Sequence, residues 1–122
     1  IRAMMAELYE IWWEHVKHSL LIDRDAFLRA SRYWKADAVY VGDYLAAIVL
    51  QNDGEIHLIK LGKHRFTKAH LATYLRYGVT TKVEVTDKAS LAFVRRLGFS
   101  LHSYDADYEY FIFRKESPCL QS

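Results

Sequence analysis

Between residues 38 and 61 the chain reverses direction twice, and no other stretch constrains its fold as strongly. Residues 38–41 and 44–50 are apolar, β-prone runs joined by Gly42-Asp43, and Asn52-Asp53-Gly54 separates the second run from residues 55–61. Asn-Asp-Gly signals a tight reversal because Gly adopts positive φ without steric cost. The third run alternates, with Ile56, Leu58 and Lys60 on one side and His57, Ile59 and Leu61 on the other. Three successive strands joined by tight turns are therefore expected.

On either side of this ribbon the apolar period changes to about 3.6 residues. Met5, Leu8, Tyr9, Trp12, Val16 and Leu20 share one helical face. Asp23 is placed to cap a second helix to about Tyr33, with Phe27 and Leu28 facing inward. After Gly62, Thr67 can cap a third helix, with Leu71, Tyr74 and Leu75 as its stripe and Gly78 at its end. Residues 80–85 form a β-branched strand. Asp87 caps a fourth helix, which buries Leu91, Ala92, Val94 and Leu97 and closes at Gly98. Strands over residues 99–104 and 108–114 flank the turn Asp105-Ala106-Asp107. With residues 1–3 as a short edge strand, the order is β-α-α-β-β-β-α-β-α-β-β, an α/β (α+β) pattern with helices on both faces of a sheet. A hydrophobic content of 52% in 122 residues excludes a disordered chain. One domain over residues 1–115 with a loose tail at 116–122 is expected.

Residues 87–99 read Asp-Lys-Ala-Ser-Leu-Ala-Phe-Val-Arg-Arg-Leu-Gly-Phe. This stretch, with the element order, resembles the GNAT superfamily of N-acyltransferases. Members commonly carry an Asn, a small residue three positions on, a Tyr four beyond that, then Leu-Gly-Phe. Asp87 takes the Asn position, Ser90 the small one, and Leu97, Gly98 and Phe99 match. The opening Ile1-Arg2-Ala3-Met4 is similar to the family's first strand. The resemblance implies a mixed, mostly antiparallel central sheet with helices on both faces and a splayed parallel strand pair. It implies acetyl-CoA or another acyl-CoA as cofactor, and an amine on a small molecule or protein attacking the thioester directly. It also places the cofactor along Ile59, Lys60, Leu61, Gly62, Lys63, His64, Arg65, Phe66, Thr67 and Lys68, with Asp87 and Ser90 beside it.

Two departures bear on activity. The family's loop runs Arg or Gln, two residues, Gly, one residue, then Gly or Ala, and its glycines let backbone N–H groups approach a pyrophosphate at a helix N-terminus. Here Gly62 stands early and alone in that loop. The family's Tyr, often the acid for the departing thiolate, falls at Val94, which has no proton to give. Both losses also resemble the GNAT-like internal virion proteins of podophages, which implies a catalytically inactive binding or structural role.

The residues themselves offer three sites for chemistry. Lys60, Lys63, His64, Arg65, Lys68 and His70 are the densest basic cluster, suited to charge-assisted phosphate contacts or to a solvated face. Glu84 and His57 are candidate general bases, which need hydrogen-bond reach to a substrate amine. His57 shares its face with Ile59, and Glu84 shares its face with Thr80 and Lys82, so a packed histidine and a solvated glutamate are the alternatives. Tyr108, with Tyr104 and Tyr110, can replace the missing acid, although alternation with Phe111 and Phe113 equally suits packing.

Other classes find less support. Nucleic acid is not expected, because no interleaved aromatic pattern or recognition helix appears. His15 and His18 lack the second pair that a metal site needs. Trp12, Trp13 and Trp34 suit core or subunit contacts, and the aromatic surface offers a seat for a second copy. The lone Cys119 has no partner for a disulfide within the chain, so a reducing compartment is expected: cytoplasm, or host cytoplasm or virion for a phage protein. No run approaches the roughly 18 apolar residues of a membrane helix. Net charge is +2, acidic in the first half and basic in the second, which suits a phosphate-bearing ligand.

Overall fold

A computed structural model describes residues 4–62 and 67–115. The expected edge strand at residues 1–3, the tail at 116–122, and Lys63, His64, Arg65 and Phe66 lie outside the described residues. The chain forms two compact units, Ile1–Asp53 with Leu58–His70, and Gly54–His57 with Leu71–Ser122.

In the first unit, helix α1 spans Met5–Val16 and α2 spans Arg24–Ser31. Glu7 reaches back to accept the Met4 N–H at 3.3 Å. Helix α1 stops four residues short of Leu20, running into a 3-10 turn over Lys17–Ser19. Asp23 caps α2 by accepting the Ala26 N–H at 2.8 Å. Phe27 is buried, its ring 4.8 Å from Trp12 and 5.2 Å from Trp13, and an Arg24–Glu10 ion pair ties α2 to α1. Burying such a ring contributes about 1.5–3 kcal/mol.

Strands β1 (Lys35–Val41) and β2 (Tyr44–Asn52) pair antiparallel, with an irregularity between Val39 and Tyr40. Residues 46–50 of β2 are all buried, as a strand covered on both faces must be. Leu8, Ala36, Ile48 and Leu50 form the centre of the core, with Tyr9, Trp12, Trp34, Ile59 and Leu61 packed against it. The Tyr9 hydroxyl donates to the Trp34 carbonyl, and its burial raises its pKa.

Strand β3 spans Glu55–Lys60 and passes from the second unit into the first. The second unit continues with β4 (Thr80–Glu84), α3 (Lys88–Arg96), β5 (Phe99–Asp105) and β6 (Tyr110–Lys115). Its buried apolar residues are Leu71, Val83, Val94, Leu97, Phe99 and Phe113. In the sheet order β1-β2-β3-β4-β6-β5, β3 and β4 are parallel, while β4/β6 and β5/β6 are antiparallel. The β3/β4 ladder registers at the N-terminal ends, Glu55 opposite Thr80, with the Thr80 N–H donating to Gly54 O at 2.8 Å. This is the mixed, mostly antiparallel sheet with one parallel pair that the sequence implies. Among the described residues no helix is long and apolar enough to cross a membrane.

Three expectations need correction. The helix capped by Thr67 is a 3-10 segment over Lys68–Leu71 followed by turns, with Tyr74 N–H on Leu71 O and Leu75 N–H on Ala72 O. Leu71 and Tyr74 lie three apart, a spacing that a 3-10 turn satisfies as well as an α-helix, and the stripe is too short to enforce α geometry. The last strand begins at Tyr110 instead of 108, because Asp105 accepts the N–H groups of Asp107 and Tyr108 and prolongs the turn. Ala92 is exposed, so α3 and its C-cap bury Val94 and Leu97 without it.

Candidate active site

Alternation along β4 sends Thr81 and Val83 into the core and Lys82 and Glu84 to the opposite, exposed face. Glu84 ends the strand. Its carbonyl accepts the Asp87 N–H at 3.0 Å, and the next residue, Val85, donates to Glu109 O at 3.1 Å. The second bond brings the end of β4 against the β5–β6 turn. Glu84, Val85, Thr86, Tyr108 and Glu109 line a shallow depression of about 200 Å³ there. Glu109 holds φ at +56°, an uncommon left-handed conformation for a residue with a side chain. Tyr108 is 73% exposed, so its phenol belongs to the turn surface and not to the core.

Two of the three candidate catalytic residues, Glu84 and Tyr108, therefore meet at one depression. The third, His57, lies on β3 in the same unit. Its Nε2 is 2.6 Å from Glu55 Oε2, and Glu55 Oε1 is 3.5 Å from Lys82 Nζ. Glu55 and Glu109 were not singled out by sequence. Glu55 carries a readable signal, since residues two apart on a strand share a face. Glu109 carries none, because its place depends on the turn.

Asp87 caps α3, accepting the Ser90 N–H at 3.1 Å. The Ser90 hydroxyl first, and this backbone bond second, hold the Asp87 carboxyl below its ordinary pKa. Val94, at the position of the family's tyrosine, is buried in the second unit's core.

Of the expected cofactor residues in the first unit, Ile59 and Leu61 turn their side chains into the core, and Lys60 is exposed. The Leu61 N–H donates to Ala46 O on β2 at 2.9 Å, whereas Gly54 O points the other way, towards β4. Alternation between those two ends directs the backbone N–H groups of Leu58 and Lys60 away from β2. Gly62 has φ +76°, and Thr67 donates its N–H to His70 Nδ1 at 2.8 Å, with exposed Lys68 beside it. Lys63, His64, Arg65 and Phe66 are the expected cofactor residues outside the described ones.

No protein-family model matches the chain, and no curated protein matches it. Solved structures do. Ard1 from Thermoplasma volcanium is 15% identical, with 95% of this chain and 96% of that chain covered at a TM-score of 0.60. A Bacillus subtilis acetyltransferase in complex with CoA is 10% identical, with 96% of this chain and 95% of that chain covered at 0.61. At such identities the likeness is one of fold, and the fold is that of the GNAT acetyltransferases.

Proposed function

We propose that the chain is an acyl-CoA-dependent N-acyltransferase of GNAT type, passing an acyl group to an amine on a small molecule or protein by direct attack. The observation that carries this reading is the depression where Glu84 and Tyr108 meet at the end of β4. Acyl-CoA supplies the activated thioester. The β3 backbone fits a pantetheine arm, because the Leu58 and Lys60 N–H groups point away from β2 and can pair with its amides. For the phosphates the fit is different. The first helical segment described after Gly62 is a 3-10 turn of four residues, too short to bring an α-helix N-terminus to the anion, so side chains such as Lys60, Lys63, Arg65 and Lys68 take that role.

Within that frame, one of the two bases, Glu84 or His57, takes up the proton of the attacking amine, and Tyr108 returns one to the leaving thiolate in place of the tyrosine lost at Val94. The reaction needs alignment above all, since amine and thioester must be held in contact. The GNAT likeness sets the cofactor beside Asp87 and Ser90 at the start of α3. A reducing, cytoplasmic setting suits a chain with a single cysteine, Cys119.

The test is CoA binding by calorimetry, with thiol release from acetyl-CoA followed over a panel of amines. Glu84→Gln and His57→Gln each lower turnover, the acting base by about 100-fold or more, and Tyr108→Phe lowers turnover while CoA affinity stays. Absence of CoA binding at millimolar ligand sinks the reading. A second reading then takes its place: a catalytically inactive GNAT-like binding or structural protein, phage- or virion-associated. The 3-10 segment where the sequence pattern asks for a helix is the observation that favours it.

A further inference from the structure

Glu55, His57 and Lys82 form the one mixed-charge cluster on strands among the described residues in which a carboxylate touches a histidine. Glu55 Oε2 lies 2.6 Å from His57 Nε2, and Glu55 Oε1 lies 3.5 Å from Lys82 Nζ. A carboxylate can only accept hydrogen bonds, so in its carboxylate form Glu55 pairs with an imidazole that carries a proton on Nε2. In the neutral ring the lone pair is then on Nδ1. The pair is two-thirds or more covered, at 23% and 30% side-chain exposure, which keeps water from replacing the contact freely. The backbone beneath it is fixed as well. Glu55 follows directly on Gly54, whose carbonyl accepts the Thr80 N–H, and Lys82 stands two residues beyond Thr80 on the same face. The Lys82 ammonium meets the Glu55 charge from the neighbouring strand, so the carboxylate is held from both sides.

We propose that Glu55 is a positioning residue for His57: it fixes the Nε2–H tautomer and the ring orientation, and so presents Nδ1 as the basic nitrogen. The catalytic consequence rests on the acyltransferase reading above; the tautomer itself does not. A proton taken from the attacking amine forms an N–H bond at Nδ1, and the imidazolium so produced stays paired with Glu55 until it loses that proton to solvent.

Imidazole 15N spectra test this directly, with His57→Gln used to assign the His57 signals. The wild type should show His57 as a single Nε2–H tautomer in its neutral form. Glu55→Gln can donate as well as accept, and Glu55→Ala can do neither, so both should lose that single-tautomer signature while keeping a folded amide spectrum. The same tautomer in the wild type and both variants overturns the proposal. Acetyl transfer supplies the second readout. Glu55→Gln should lower kcat by about tenfold or more with the KM for acetyl-CoA within about twofold, and should add nothing in a His57→Gln background. A further loss in that background means that Glu55 acts on substrate itself, and overturns the positioning role. If the tautomer shifts as expected but no amine is acylated by the wild type, the acyltransferase reading fails and the positioning of His57 stands.

Discussion

Asp87 closes the first turn of α3 by accepting the Ser90 N–H, at the position where the GNAT pattern has an asparagine. Replacing it with Ala should cost about 0.5–2 kcal/mol, whereas Asn, which caps comparably, should cost little. The Ser90 hydroxyl and backbone hold the Asp87 carboxyl below its ordinary pKa. A group depressed in the folded state stabilises fully above the unfolded aspartate range and loses that contribution as pH falls through its folded value. The urea midpoint deficit of Asp87→Ala should therefore be full at neutral pH and narrow on acidification. A deficit that ignores pH would show that the cap works without its charge. This residue and its role were legible in sequence, since a cap is read from its own first turn. Glu55 was legible only as a strand residue, because its second partner, Lys82, sits on a different strand.

Among the elements, the β2–β3 turn and the end of α3 separate two costs of replacing glycine. Asp53 and Gly54 have φ of 48° and 82°, the left-handed pair that a tight hairpin turn demands. A methyl group at Gly54 would meet no atom within 4 Å, so Gly54→Ala should cost only the backbone penalty, about 1–2 kcal/mol. Gly98 has φ +93°, and a methyl group there would run into Lys115 Nζ, which donates to the Leu97 carbonyl at 3.0 Å and closes the end of α3. Gly98→Ala should therefore lower the thermal midpoint more than Gly54→Ala. Equal shifts would mean that Lys115 contributes nothing at the helix end. Both glycines announce themselves in sequence. The 3-10 segment at Lys68–Leu71 does not, because its apolar spacing fits two helix types, and ties beyond the stripe settle the geometry: Leu71 is buried and the Gly78 N–H donates to Lys115 O.

For the whole molecule, the decisive measurement is whether the GNAT fold still holds CoA. The loop sequence lacks the later glycines that bring backbone amides to a pyrophosphate, so any CoA affinity is expected to rest on cationic side chains. Each well-formed charge-assisted contact contributes about 1.5–3 kcal/mol. Replacing Lys63 and Arg65 together with Ala should weaken CoA binding by about tenfold or more, and added salt should weaken the wild type. Binding that survives both changes would assign the basic cluster to a solvated face.

The sequence by itself determined the antiparallel ribbon, the caps at Asp23 and Asp87, the succession of the remaining described strands and helices around the 3-10 segment and, through residues 87–99, the likeness to the GNAT family. Each of these is written in neighbouring residues, as a period, a turn or a cap. Tertiary structure alone decided that Tyr108 stands on a turn surface beside Glu84, that Val94 is core, and that one carboxylate holds both His57 and Lys82. Those facts depend on which strands become neighbours and in what register. The free energy that selects the register comes from buried faces such as Val83 and Phe113, not from the polar residues that the register then brings together.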